Sequence, residues 1–474
     1  MVVNKHFWNS NLGKTYQNDL NMKQNLFLFE LKIFFRNTSS ITAIVILLLA
    51  GFIGLYFGKT FIERQDTVVQ KAVTLQNENT EKNYEHFGED TGLFFFHNKF
   101  SVANTATKWA AFSNGQRDIN PYLISVTMLG LEGQMYDTDI ANPSSLLMGN
   151  IDLGFVFIFL FPLVIIALSY NILSSQQENG VWILLKSQTS KPHLIIWNKL
   201  LVRVLVIIAT AFILMIAALF YLNLELDSIF ISIFGLILFY LIFWFAAVFF
   251  IISFGKTSNF NASSLIGLWV GLAIVVPASL NLYLTAKYPV PEALKHVMEQ
   301  RQGYHEKWDL PKNVTMDPFF KHYPQFRQFP FDEKKTFSWF WYYGMQQMGD
   351  DQALESRKAM EQKLENRQQF ASAVALFFPT VQTQLSVNSL SGSDLKSHLD
   401  FQNFVRDYHE KVRLHFYPVI FQEKKVSLAE VENFGLKHYK GSISPLKIES
   451  VVSLLLISLI LMITGNFNFR KSLR

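Results

Sequence analysis

The 474-residue sequence contains no cysteine, which excludes a disulfide framework and any thiolate metal site. Charge is also scarce. Asp, Glu, Lys and Arg make up 17% of the residues, and 50% are hydrophobic, whereas roughly a quarter of a soluble domain is charged. The mean hydropathy is positive, +0.19, so a disordered chain is excluded. The net charge of +5 is too small and too scattered to suggest a nucleic-acid partner. Metal-ligand spacings are missing too. His97, His305, His322, His398 and His409 form no paired-ligand motif, so no metal site is expected. Ser391-Gly392-Ser393-Asp394 lacks the spacing of a nucleophile elbow and reads as a turn and helix cap. No catalytic residue is expected.

A nucleotide site is absent from the sequence as well. Gly-Lys-Thr occurs at residues 13–15, 58–60 and 255–257. A phosphate loop needs a second glycine five residues earlier, and those positions hold Trp8, Ile53 and Phe250. The chain is therefore expected to bind no cofactor itself. Any ATP and Mg would be bound by a partner.

What the sequence does have is long apolar runs. A transmembrane helix needs about 20 such residues, and six segments meet or approach this: 41–58, 153–173, 200–222, 228–254, 262–284 and 450–465. The sixth is short, so Lys447 and Glu449 beside it are expected to snorkel. The first run starts well into the chain and no small-residue cleavage pattern follows it, so a cleaved leader is not expected. The expected fold class is an all-α polytopic membrane protein with six transmembrane helices.

Orientation follows from Lys and Arg in short flanks. Segments 1–40, 174–203, 255–261 and 466–474 together hold 13 basic and three acidic residues, and the short loop between spans three and four holds Glu225 and Asp227 with no base. Both termini are expected in the cytoplasm. Two large extracytoplasmic inserts remain, 59–152 and 285–447. They are expected to pack together as a largely helical domain with some β.

Within the inserts, 61–86 reads as a polar helix prolonging span one. Residues 122–130 are β-prone, and Asn142-Pro143 signals a turn. A helix is expected over 291–308, opened by its proline, then a loop over 311–330 rich in proline and aromatics. A highly charged helix follows over 351–370, and apolar residues close to helical spacing suit another over 401–417. The aromatic run Trp339 to Tyr343 suits insert core or an outer membrane-interface belt, with a ligand or partner surface as the lesser alternative.

The span centres carry no ionisable residue. Asp152, Arg203 and Glu449 lie at ends, which argues against a proton- or sodium-coupled pump. Asp152 suits a helix cap, or a place on the pathway. Pro162 and Pro277 interrupt spans two and five, as simple kinks or as points of helix flexing. Residues 21–37 suit an interfacial helix with Phe27, Leu31 and Phe34 among its apolar residues and Lys23, Glu30, Lys32 and Arg36 on its polar side. It is a plain anchor, or a connector that also touches a partner. The segment 174–203 is long for an inner loop. Gly180 suits a helix end. Residues 181–185 form an apolar patch, Val181, Trp182, Leu184 and Leu185 being its candidate docking residues beside Lys186, and Thr189-Ser190 then Lys191-Pro192 suit a helix start. The patch reads as a docking surface or as a hairpin lying against lipid.

This segment resembles the coupling region of ABC-2 type permeases, where a Glu and a Gly close the second span, leucines and a Ser/Pro turn follow, and a base opens the third. The matching residues are Glu178, Gly180, Leu184, Leu185, Ser187, Ser190, Pro192 and Lys199. Gln176 and Gln177 depart from the more acidic family pattern. A branch of these permeases with large inserts after spans one and five, catalogued as a domain of unknown function, is similar around 142–180 and 379–401. The resemblance implies a transmembrane permease subunit of a bacterial inner (cytoplasmic) membrane, most relatives being described as exporters. A dimer of cytoplasmic ABC ATPase subunits would dock on the 174–199 loop. A second permease copy or sister permease would complete the pathway, and an envelope partner would meet the inserts. The alternative it allows is mechanotransmission to that envelope partner without transport.

Because the chain lacks cysteine, single-cysteine variants need no background removal. A membrane-impermeant maleimide should label Glu225→Cys in intact cells and Ser187→Cys only after permeabilisation. The reverse pattern would invert the topology.

Overall fold

A computed structural model describes residues 26–136, 151–189, 192–441 and 443–473. The expected turn at Asn142-Pro143 lies outside the described residues, as do Ser190 and Lys191. A short helix α1, residues 26–36, leads into α2, Thr38–Phe87. Asn37 separates them and caps α2, its side chain accepting from the Ser39 amide at 3.0 Å. At 1.5 Å per residue the 50-residue α2 is about 75 Å long, more than twice a hydrocarbon core. The polar extension expected over 61–86 is thus one continuous rod with the apolar segment. The chain returns as α3, Leu153–Glu178, then forms a short α4, Val181–Gln188, and three long helices: α5, His193–Tyr221; α6, Ser228–Ile252; and α7, Ser258–Lys287.

Beyond α7 come α8, Glu292–His305; α9, Lys312–His322; α10, Trp339–Ala375; α11, Pro379–Leu390; and α12, Leu395–Phe421. The last helix is α13, Ile448–Leu473. Among the described residues six helices, α2, α3, α5, α6, α7 and α13, are long and apolar enough to cross a membrane. Two expectations change. The stretch 311–330 is no loop: Pro311 precedes α9, and Pro318 sits within the helix. Here the proline and aromatic content misleads because the aromatics are packed, with Phe319 and Phe326 buried. The sixth apolar run is short only by hydropathy, since its helix of 26 residues continues past Asn466 and Asn468 to Arg470 and Lys471.

Two hydrophobic clusters divide the described chain. The bundle cluster gathers α2, α3, α5, α6 and α13, with α6 at its centre. Its helices approach closely where α2 presents glycines. A Cβ on Gly58 would lie 2.0 Å from the Ala111 carbonyl oxygen, so the backbone contact exists only because the side chain is missing.

The second cluster forms a head built from both inserts. Its sheet has strand order β2-β1-β3, with β1 Phe100–Thr105, β2 Leu123–Val126 and β3 Lys437–Lys440. β1 pairs antiparallel with β2, Phe100 opposite Val126, and parallel with β3, Val102 opposite Lys437. One strand thus joins residues more than 300 positions apart, as the expectation that the inserts pack on each other requires. The core is aromatic. Phe340 stacks on Phe421 with centroids 3.8 Å apart, and Tyr343 and Tyr417 are buried beside them. The run Trp339 to Tyr343 is therefore core.

One buried cation organises the loops over this core. Arg413 donates to the carbonyls of Met128 at 3.2 Å and Leu129 at 2.6 Å, and pairs with Asp350 at 3.0 Å. Asp350 in turn accepts from the amides of Leu131 at 2.9 Å and Glu132 at 3.2 Å. Burial pushes the Asp350 carboxyl up to about 6, with Arg413 opposing the rise. Alongside, Glu132 pairs with Arg357 and Arg406, and both arginines pair with Glu361.

Breaking a buried pair from one side leaves an uncompensated charge. Arg413→Met should cost about 3–5 kcal/mol, read as a fall in the head's denaturation midpoint. A second outcome concerns pH. Burial, with Arg117 and Arg406 nearby, pushes the His398 imidazole down to about 4. A depressed histidine gives stability that is complete above its unfolded value near 6.5 and is lost as pH falls toward 4. Between pH 6.5 and 5 this removes about 2 kcal/mol, and His398→Asn should shrink the wild-type loss over that interval by that amount.

Candidate functional site

Two features of the bundle carry unusual chemistry. One is the hairpin joining α3 to α5. The other is α11, which leaves the head and enters the bundle.

The hairpin begins where Gly180 takes φ +72°, a left-handed conformation that stops α3 and turns the chain into α4. Glu178 does not project freely. Its carboxylate accepts from the Ser258 amide at 2.7 Å and the Ser258 hydroxyl at 2.8 Å, tying the hairpin to the start of α7. Ser174 meets the same hydroxyl at 2.8 Å. Along α4 the apolar residues divide. Trp182 is 5% exposed and belongs to the bundle core, and Leu185 packs partly against it. Ile183 is 74% exposed, Leu184 60%, and Val181 is exposed too. Lys186 sits 6.0 Å over the Trp182 ring. Pro192 precedes α5, whose first residue is His193. The exposed patch is thus Val181, Ile183 and Leu184, while Trp182 anchors the hairpin from within.

Helix α1 lies against the same end of the bundle. Phe34 is buried, and Phe27 and Leu31 pack on the bundle core. Glu30 sits on this inward face and not on the polar side the sequence suggested, because the spacing 27, 30, 31, 34 is one helical stripe. Burial raises the Glu30 carboxyl, and Lys199 and Arg203 of α5 oppose that rise. Arg203 also donates to the Leu168 carbonyl at 2.5 Å and the Lys199 carbonyl at 2.8 Å.

Helix α11 is the feature that hydropathy missed. It is rich in Thr, Gln, Ser and Asn, yet none of its residues is exposed. It lodges against α6, α13 and the wide turns of α3 and α7. Those turns are π-helical, Val156–Leu160 in α3 and Gly271–Val275 in α7, each followed closely by a proline, Pro162 and Pro277. Pro162 has no N–H to give the Ile158 carbonyl four residues back. The Tyr240 hydroxyl of α6 donates to that carbonyl at 2.7 Å and lies 3.2 Å from the Thr380 hydroxyl of α11. Beside it, the Trp269 indole N–H of α7 donates to the Phe159 carbonyl at 3.1 Å. The Ile158 and Phe159 carbonyls of α3 therefore collect α6, α7 and α11 at one point. A scan for apolar runs cannot find α11, although a proline opening a helix of hydroxyl and amide residues was a usable signal.

Asp152 serves as a cap. One carboxylate oxygen accepts from the Phe155 amide at 2.7 Å and the other from the Asn114 amide at 2.7 Å, pinning the first insert to the start of α3. Among the described residues no group of three or more His, Asp or Glu is placed to hold a metal ion.

Residues 295–435 match a protein family described as a domain of unknown function, DUF3526. The match takes in most of the later insert, including α11 and α12. No curated protein and no solved structure matches the chain.

Interhelical hydrogen bonds in membrane bundles are worth about 0.6–2 kcal/mol. Tyr240→Phe should lower the unfolding midpoint in detergent by that order, and Trp269→Phe likewise. A double variant should cost less than the sum of the two, since both side chains serve the same opened turn.

Proposed function

We propose that this chain is the membrane subunit of an ATP-driven transporter of the ABC-2 permease kind, moving a substrate outward across a bacterial inner membrane. A separate cytoplasmic ATPase would bind ATP and Mg. The observation that carries this reading is the hairpin. Ile183 and Leu184 stand in the open at the tip of a bundle whose spans hold no ionisable residue at their centres. Such a patch suits a partner protein, and the anchoring of its two ends suits transmission. Glu178 grips α7 and Trp182 sits in the core, so a push on α4 reaches the two helices that carry the π-turns, α3 and α7.

A second copy of the chain, or a sister permease, fits the outer face of α7. Ser263, Gly267 and Gly271 recur there every fourth residue, and nothing lies within 4 Å of a Cβ at either glycine. Small residues at this spacing let membrane helices approach.

Mechanotransmission to an envelope partner is the second reading, and one observation favours it. The rod α2 runs unbroken from bundle to head, and α11 returns from head to bundle, so a movement of the spans is delivered to the head at two points.

The test is co-purification of an ATPase and measurement of its stimulated hydrolysis. Replacing Ile183 and Leu184 together by Asp should release the ATPase and abolish the stimulation, with binding weakened about 30-fold or more. Retention of the ATPase at wild-type affinity would refute the docking role. Substrate movement by the purified complex in liposomes separates transport from mechanotransmission.

A further inference from the structure

At the foot of the head, the last turns of α10, the inner side of α11, the first turns of α12 and the segment entering α13 enclose a groove of about 830 Å³. That volume is in the range of small-molecule sites. The floor is Gln382, 5% exposed. Its side-chain amide donates to the Ser386 hydroxyl at 3.1 Å and to the Ser450 hydroxyl. Its carbonyl oxygen Oε1 is buried and has no hydrogen-bond partner among the described residues. A buried acceptor left unpaired costs about 1–3 kcal/mol, and a donor arriving in the groove removes that cost.

The walls are leucines, among them Leu376, Leu385 and Leu399. The rim is negative on balance. Lys396 is neutralised by Asp400 at 3.0 Å, and Asp394 is occupied in capping α12. Glu365 and Glu449 make no ion pair among the described residues, and Lys447 is the remaining base. An unpaired acceptor at the bottom, apolar walls and an acidic mouth select one chemistry.

We propose that this groove binds an amphiphile bearing a protonated amine. The ammonium donates to Gln382 Oε1, and the apolar chain runs back along the leucines toward the rim. The groove belongs to this chain alone, so the proposal does not depend on ATP coupling and stands or falls apart from it. A bilayer lipid with an amine headgroup and a free alkyl amine carry the same chemistry.

The experiment uses the full chain in phosphatidylcholine nanodiscs and titrates three probes of equal chain length by calorimetry: dodecylammonium, dodecyltrimethylammonium and dodecyl sulfate. Dodecylammonium should bind about ten-fold tighter than the trimethyl analogue, which has the charge and no N–H, and dodecyl sulfate should bind weakest. Gln382→Leu should remove the preference between the two cations, and Leu399→Trp, which fills the groove, should remove saturable binding of both. Equal affinity for all three probes on the wild-type chain would overturn the proposal without recourse to any variant. So would unchanged dodecylammonium binding in folded Gln382→Leu and Leu399→Trp, folding being checked by elution profile and melting midpoint. Competition by phosphatidylethanolamine placed in the nanodisc would identify the occupant as a bilayer lipid. Saturable dodecylammonium binding without such competition would identify it as a free amphiphile.

Discussion

A proline in an apolar helix bundle frees a carbonyl that water does not reach, and the rest of the bundle is arranged around satisfying it. Pro162 opens α3, and the Ile158 carbonyl takes a hydrogen bond from Tyr240. Tyr240 also meets Thr380, so the residue that closes the defect is the one that receives α11 from the head. Trp269 adds α7 at the neighbouring carbonyl. A local defect in one helix thereby becomes the junction of four.

The two halves of the molecule are held by different physics. Apolar side chains in the bundle gain little by leaving lipid for one another, so close approach and polar contacts decide packing there. This is why Gly58 on α2 meets backbone at Ala111 and Gly54 meets it at Asp152. The head is closed by the hydrophobic effect acting on aromatic rings, with Arg413 and Asp350 fixing loops that the rings alone would leave loosely placed. Asp152 and α11 bridge the two regimes. Asp152 does so by capping α3 with one oxygen while holding Asn114 with the other, and α11 by carrying the Thr380 hydroxyl to Tyr240 inside the bundle.

Much of the helical framework was legible because it rests on run length and local propensity. The long apolar helices follow from composition, and the extension of α2 through 61–86 follows from the absence of a breaker between Gly58 and Phe87. The turn and cap at Gly392 and Asp394 follow from residue type, and Gly392 indeed takes φ +66°. At the hairpin, Gly180 and the apolar patch were legible, but which of its residues face outward was not. The sequence offers all of residues 181–185 alike. Only packing separates buried Trp182 from exposed Ile183 and Leu184.

Length, missing charge and missing cysteine by themselves determined that this is a helical, membrane-type chain with a hairpin of apolar residues between its second and third long helices. They did so because the solvent each segment tolerates is a property of its own side chains. The inward face of Glu30, the entry of α11 into the bundle and the service of Tyr240 to Ile158 were decided by tertiary structure alone. A polar group's environment depends on which neighbours shield it, and those neighbours come from distant parts of the chain.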